Sequence, residues 1–347
     1  MSLPTLSVLM NNYNYGHFIS EALQAIVDQS LQPYEVIVID DGSTDNSVEV
    51  IERFSRKYSY IHLIRNEKNQ GALKSWFQGF ELLTGDYFLS ASSDDRILPG
   101  LFEKSINLLS QYPDAGLCTC LNFIIDEKGN RQPPPINKPL ISKSPCYISP
   151  EQALCLSLER GNWNSTLGTI WRLKAVWQIN AFPKEAQNYI DGFAAYLLPL
   201  VYGACFIPEH LSEYRAHGKN LSNSVRIDPE ERMKLLKPME DLMDTTYADK
   251  FPLAFVKDQK SRHRYTFGSL TLNQMELADK ECFQYIEDAL QTGTLFDRAF
   301  LFGIRIIRKM TNLFTRFYLF WRLRRLTRFI WVHSFYRLSN RLGWKAK

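Results

Sequence analysis

The sequence predicts an α/β protein with a mostly parallel sheet flanked by helices, followed by a mostly helical C-terminal region. Three observations predict it. Short β-branched apolar runs alternate with ten-residue helical patterns over roughly the first 125 residues, the rhythm of strands that cross over through helices. One of those runs, Glu35–Ile39, is β-branched and apolar at four successive positions, as strands buried on both faces are. From Asp228 onward the helical pattern continues and strand signals become few. The expected division is 1–225 and 226–347.

Leu6–Met10 is the first apolar run, and His17–Gln29 follows with helical periodicity. Glu35–Ile39 (EVIVI) reads as a fully buried strand. Ser43–Arg56 reads as a helix, with Ser43, Thr44 and Asp45 as N-cap candidates. Tyr60–Ile64 is strand-like, Leu73–Leu83 helical and Asp86–Ala91 strand-like. Pro99–Tyr112 is a helix opened by proline, and Ala115–Ile125 a further strand. Glu127–Pro145, with three consecutive prolines, breaks the rhythm and reads as a loop. Pro150–Glu159 and Asp191–Tyr202 are expected helices; Cys205–Pro208 and Leu211–Arg215 are expected short strands.

The 347 residues carry a net charge of +4 that hides an asymmetry. Arg298–Lys347 holds thirteen Lys and Arg and no acid, leaving the preceding residues acidic overall. The six cysteines form no CxxC pair and no Cys/His cluster with zinc spacing, so they read as buried thiols of a reducing compartment. No stretch reaches the ~18 uncharged apolar residues of a membrane span. The N-terminal run lacks a basic flank and reads as a strand rather than a leader, so a cytoplasmic location is expected.

Ligands of open parallel sheets bind beyond the C-terminal ends of the strands. Two such ends carry unusual residues, Asn11-Asn12-Tyr13-Asn14 and Asp40-Asp41-Gly42-Ser43-Thr44-Asp45. A carboxylate there can accept a hydrogen bond from a base or ribose, a tyrosine ring can stack on a base, and Gly42 permits a tight turn beside it. The same acidic run also serves as a turn and helix cap. A third strand ends in Asp94-Asp95, where two adjacent carboxylates call for a positive partner. A divalent cation shared with diphosphate oxygens, Mn2+ or Mg2+, meets that need; a solvated acidic turn is the alternative.

SVLMNNYNYGHFISEAL (7–23) followed by EVIVIDDGSTDNS (35–47) resembles the start of a family 2 glycosyltransferase. The resemblance runs from about Leu6 to Ser222 in the family's order. It implies a GT-A fold, Rossmann-like, and inverting transfer from a nucleotide-diphosphate sugar, such as a UDP-sugar, to a glycan or lipid-linked acceptor. The implied setting is bacterial cell-surface polysaccharide or glycolipid synthesis. In this chain's numbers, Tyr13 and Asp41 hold the base and Asn11 lines its pocket. Asp95 is the implied metal ligand, and Asp94 contacts ribose or diphosphate. Gly71 and Lys74, in NEKNQGALKSWFQG, border the donor. Asp191, in NYIDGFAAYLL, stands where the family places its base; the alternative is an ordinary N-terminal helix acid. Arg215 and His217, in PEHLSEYRAH, stand where the family contacts the diphosphate or orders a loop over it. The chain departs from the family at Asn11-Asn12 (usually Pro-Thr), at Ser92 (usually Asp), at Trp76-Phe77 (often Arg-Asn) and before Asp191, where the usual Glu is Ile190.

Two other readings stay open. A sugar nucleotidyltransferase shares the sheet and metal but needs a Gly-rich phosphate loop that Asn11–Gly16 lacks. A non-catalytic nucleotide-sugar-binding protein fits the departures. Separately, Arg298, Arg305, Lys309 and Arg316 fall on one helical face, with Phe302, Ile306, Leu313 and Phe317 set away from them. That pattern predicts a basic amphipathic tail for an anionic membrane surface, with a helical cap on protein as the competing reading. No nucleic-acid recognition motif accompanies the charge.

Overall fold

Every residue of Leu6–Met10 is buried, and the run pairs as strand β1 (Leu6–Asn12) in a computed structural model that describes residues 4–133, 141–218, 220 and 229–274. On one side of β1 lies β2 (Glu35–Asp40), parallel, with Asn12 opposite Asp40; beyond it β3 (Ile61–Arg65) is parallel again. On the other side lies β4 (Tyr87–Ser92), also parallel, with Asn11 opposite Ser92. The strand order therefore reverses at β1/β4, which puts the ends of β1, β2 and β4 at one level beside a topological switch point.

The sheet is mixed beyond β4. β8 (Ile170–Arg172) pairs antiparallel with both β4 and β6 (Leu117–Ile125); β6 runs parallel to β9 (Ala204–Arg215). β5 (Arg96–Ile97) and β7 (Cys146–Ile148) pair antiparallel with β9. The two short strands expected at 205–215 are one strand. Its pairing to β6 shifts register at Cys120/Leu121 and Leu121/Asn122, so the Pro208 region is a bulge rather than a break.

Helix α1 (Gly16–Val27) buries Ile19, Ala22, Leu23 and Ile26, one face at helical spacing, in one core cluster with Val8, Met10, Val36 and Val38, while its buried Phe18 packs on His217. Burying each such side chain contributes roughly 1.5–3 kcal/mol. α2 (Ser47–Lys57) lies on the same layer. α3 (Ala72–Phe80) takes the opposite face, where a Cβ on Gly79 would come within 2.2 Å of Leu9 Cδ1. Beside it Trp76, Phe80, Phe88, Trp171 and Phe182 form an aromatic layer. α4 (Leu101–Gln111), α5 (Pro150–Arg160), α6 (Leu173–Ile179) and α7 (Ile190–Tyr202) complete the part up to Asn220.

The α2 boundary differs from expectation for a local reason. Ser43 and Thr44 do not cap the helix, because their polar atoms are engaged with Asn12 and Asn14; α2 opens at Ser47 with Asn46 in the N-cap position, and Asp45 Oδ1 accepts the Ser47 amide at 2.9 Å while its Oδ2 accepts the Gly16 amide.

Two compact units emerge: Met1–Leu154 with Asn162–Asn220, and Cys155–Gly161 with the chain from Leu221. In the second, α8 (Pro229–Asp244) and α9 (Leu253–Gln274) bury Leu236, Met239, Met243, Phe251 and Phe255, and Arg262 donates to the Leu158 carbonyl at 2.9 Å. Among the described residues no helix is long and apolar enough to cross a membrane. The basic segment 298–347 lies outside the described residues.

Candidate functional site

Three loops leave the switch point, and polar side chains stitch them together. Asn12 donates to Asp40 Oδ2 at 2.8 Å and to Ser43 Oγ at 3.1 Å; the Ser43 amide returns to Asp40 Oδ1 at 2.9 Å. Asp40 is fully buried, and these contacts make it a brace for the turn. Asn14, held at φ 57°, accepts the Thr44 amide at 2.8 Å and donates its own amide to Ser43 Oγ at 2.9 Å. Gly42 has φ +74°, and a Cβ there would lie 2.7 Å from the Lys68 backbone. The 66–71 loop therefore packs directly on the turn.

Asp41 holds that loop. Its Oδ1 accepts Asn66 Nδ2 and the Gln70 amide, and its Oδ2 accepts the Gly71 amide, each at 2.9 Å. Burial raises the pKa of this carboxyl. The Gln70 amide, Asn66, Ser75 and the Gly71 amide more than offset that and hold it below the ordinary aspartate range. Asn11 reaches the same segment, donating from Nδ2 to the Ala72 carbonyl at 2.8 Å. That bond fixes the amide, so Oδ1 is left as an acceptor, buried and without a partner. Tyr13 is 42% exposed at the lip. The space over Gly71 is open, and Lys74 is exposed on α3. Asn11 and Asp41 thus meet at the Gly71-Ala72 turn, and Tyr13 follows at the end of β1.

The acid pair lies at the end of β4, on the other side of β1. Both residues are buried, Asp94 at 8% and Asp95 at 7%. Asp94 Oδ2 meets His217 Nε2 at 2.9 Å and accepts Asn220 Nδ2 at 3.1 Å. Asp95 Oδ1 accepts the Arg215 amide at 2.8 Å. Burial first, and then the charge of Asp94, push the Asp95 carboxyl up to about 7, against the opposing pull of the Arg215 amide, Ser92 and the Arg215 charge. Tyr15 is pushed up to about 12, by burial and then by the negative charges of Asp94 and Asp95.

Arg215 and His217 stand behind the aspartates. Arg215 is 2% exposed, and its guanidinium donates to the Asp94 carbonyl (2.7 Å), the Glu127 carbonyl (3.0 Å) and the Glu21 carboxylate. With these donors engaged, it supports the acid pair rather than reaching a phosphate. His217 is engaged with Asp94 and packs on Tyr15 and Phe18. Of the two roles the motif implies for this pair, ordering the site is the one the contacts favour.

Asp191 opens α7, one residue after its first turn begins, and accepts the Gly192 amide at 2.7 Å. Its side chain reaches solvent, yet the surrounding protein withdraws enough water to raise its pKa, which Thr166 and the Gly192 amide only partly oppose. The segment Thr166-Leu167-Gly168 links the two acidic centres: Thr166 meets Asp191, while Leu167 and Gly168 line a small cavity with Asp95.

Among the described residues no group of three or more His, Cys, Asp or Glu could hold a metal alone. The oxygen donors and the unfavourable ionisation of Asp95 beside Asp94 nevertheless fit a hard divalent cation that takes its remaining ligands from phosphate.

Tyr15, Glu21 and Asn220 belong to this site and went unread in the sequence. Glu21 looks like any exposed helix acid until Arg215, 194 residues away, is folded against it.

Residues 7–166 match the family model for glycosyl transferase family 2. An uncharacterized glycosyltransferase of Haemophilus influenzae is 35% identical over 111 residues, which cover 32% of this chain and 44% of the relative. The putative teichuronic acid biosynthesis glycosyltransferase TuaG of Bacillus subtilis is 28% identical over 108 residues, covering 31% of this chain and 43% of TuaG. The chain thus spans less than half the length of these curated relatives. The crystal structure of S. aureus TarS 1–349 in complex with UDP-GlcNAc has a TM-score of 0.62 at 14% identity, covering 91% of this chain and 90% of that one. At that identity the likeness is one of fold.

Proposed function

Because residues 7–166 match the family model for glycosyl transferase family 2, we propose that this protein moves a sugar from a nucleotide-diphosphate donor to an acceptor hydroxyl with inversion. The observation that carries the reading is the pairing, across one switch point, of a polar recess at β1 and β2 with a buried carboxylate pair at β4. The recess takes the nucleoside: Tyr13 offers a ring face, Asn11 Oδ1 an unused acceptor, and Asp41 keeps the 66–71 loop in place. Lys74 faces the donor from α3. Asp95, with Asp94 beside it, would hold Mn2+ or Mg2+. When bound, that cation neutralises the departing diphosphate.

Asp191 takes the proton of the acceptor hydroxyl as its oxygen bonds to the anomeric carbon and the bond from that carbon to the diphosphate breaks. Its upward-shifted carboxyl is a better base than an ordinary aspartate. A UDP-sugar is the donor to test first, since TarS of like fold was solved with UDP-GlcNAc. The name of TuaG supports a cell-surface glycan or its lipid-linked precursor as acceptor. The basic segment 298–347 would bring the enzyme to an anionic membrane surface on the cytoplasmic side.

The test is turnover of UDP-sugars with Mn2+, wild type against Asp95→Ala. Metal-dependent release of UDP that the variant loses supports the reading. No turnover with any sugar nucleotide, despite nucleotide binding, points to a non-catalytic binding protein.

A further inference from the structure

We propose that Glu21 is a positioning residue: it engages the Arg215 guanidinium and keeps that charge off the Asp95 carboxylate, which stays open to a cation. The inference rests on the reading of Asp95 as a cation ligand. Arg215 is the arginine whose charge acts on Asp95; its own amide touches Asp95 Oδ1 at 2.8 Å and its guanidinium donates to the Asp94 carbonyl. A buried guanidinium needs a counter-charge, and a carboxylate within reach of its fork is the preferred one. Two kinds of carboxylate compete for it, those of the acid pair and that of Glu21. The guanidinium turns to Glu21, with the Asp94 and Glu127 carbonyls and the Phe18 ring (4.7 Å) filling its other sides.

Glu21 is held for this task from the opposite side. Its other oxygen pairs with Arg96, which also pairs with Glu213 at 2.7 Å; Glu213 in turn pairs with Arg131 at 2.8 Å. Charges therefore alternate along Arg131, Glu213, Arg96, Glu21 and Arg215. Three guanidiniums and two carboxylates leave one positive charge in excess, beside the two aspartates. With both aspartates ionised, as a bound cation requires, the pair keeps a net negative charge for that cation. Glu21→Gln removes one carboxylate, the excess becomes two, and the acid pair is fully compensated by arginine. The guanidinium then has its best remaining partner in Asp95 or Asp94.

The experiment measures UDP binding by calorimetry, with Mn2+ and with EDTA, for wild type, Glu21→Gln and Glu21→Gln/Arg215→Gln. Circular dichroism confirms folding of each. Glu21→Gln should weaken Mn2+-dependent binding by roughly tenfold, within the range seen for coupled charge networks, and leave the affinity in EDTA unchanged. The double variant, which also removes the competing charge, should recover most of the loss. If Glu21→Gln does not fold, Glu21→Asp keeps the charge on a shorter stem and should show a smaller loss of the same kind. Equal weakening with and without Mn2+ would mean a purely structural role and overturn the inference. So would an unchanged Mn2+ effect, or a double variant no better than the single one. A wild type that binds UDP with no Mn2+ effect overturns the reading of Asp95 itself, and the inference with it.

Discussion

The main-chain N–H of Arg215 meets the Asp95 carboxylate at 2.8 Å, joining the end of the last long strand to the loop after β4 across 120 residues of sequence. That one bond ties the acid pair to the end of β9. It also explains why Asp95 is buried beside a second carboxylate with only partial compensation.

Asp95→Asn should therefore remove Mn2+-dependent nucleotide binding while raising the melting temperature of the metal-free protein. Burial and the charge of Asp94 disfavour the ionised form, and the amide relieves that penalty. A gain of about 1 kcal/mol corresponds to roughly 2–4 °C in a domain of this size. Differential scanning fluorimetry without metal checks it, and a melting temperature below wild type contradicts the electrostatic account.

The same shift has a pH signature. The folded pKa of Asp95, about 7, lies above its ordinary value of 3.8. An acid raised in the folded state favours the fold when protonated, so its contribution to apo stability declines as pH rises from near 4 through about 7. Mn2+ affinity should climb over the upper part of that window, as proton and metal compete for one carboxylate. Calorimetry between about pH 5.5 and 8 measures it, and a flat profile opposes the assignment.

Asp41 behaves in the opposite sense. Its pKa is lowered in the fold, so its stabilising effect is present above the ordinary aspartate pKa and is lost as pH falls through the folded value. Asp41→Ala leaves the Gln70 and Gly71 amides without acceptors and should cost about 2–4 kcal/mol, the scale of losing hydrogen bonds to a charged group. Urea denaturation at pH 7 and below about pH 3 should show a smaller difference between variant and wild type at the lower pH, where the folded carboxylate takes up its proton.

The recess and the acid pair were legible because they sit at strand ends, and strands as apolar as Val36–Ile39 declare themselves. That placement draws attention to Tyr13, Asp41 and Asp95, and the family resemblance supplies the roles expected of them. What the chain did not disclose depends on distant partners. β8 is only three residues long and takes its strand character from antiparallel neighbours on both sides. Ser43 and Thr44 look like helix caps until Asn12 and Asn14 claim them. Arg215 reads as a phosphate ligand by residue type, and only burial beside Glu21 and the Glu127 carbonyl turns it into a support.

Asp191→Asn should lower kcat by roughly 100- to 10,000-fold, the usual contribution of a general base, with the Kd for UDP and Mn2+ unchanged. In wild type the acidic limb of kcat should lie above the ordinary aspartate range, because desolvation raises this carboxyl. A variant that loses nucleotide binding along with turnover would place Asp191 on the donor side instead.

Calorimetric titration of UDP into the purified protein tests the central claim most directly, run with Mn2+ and with EDTA on wild type and Asp95→Ala. The account predicts clearly tighter binding with Mn2+ in wild type and no such gain in Asp95→Ala. UDP affinity indifferent to Mn2+, and equal in the two proteins, would contradict it.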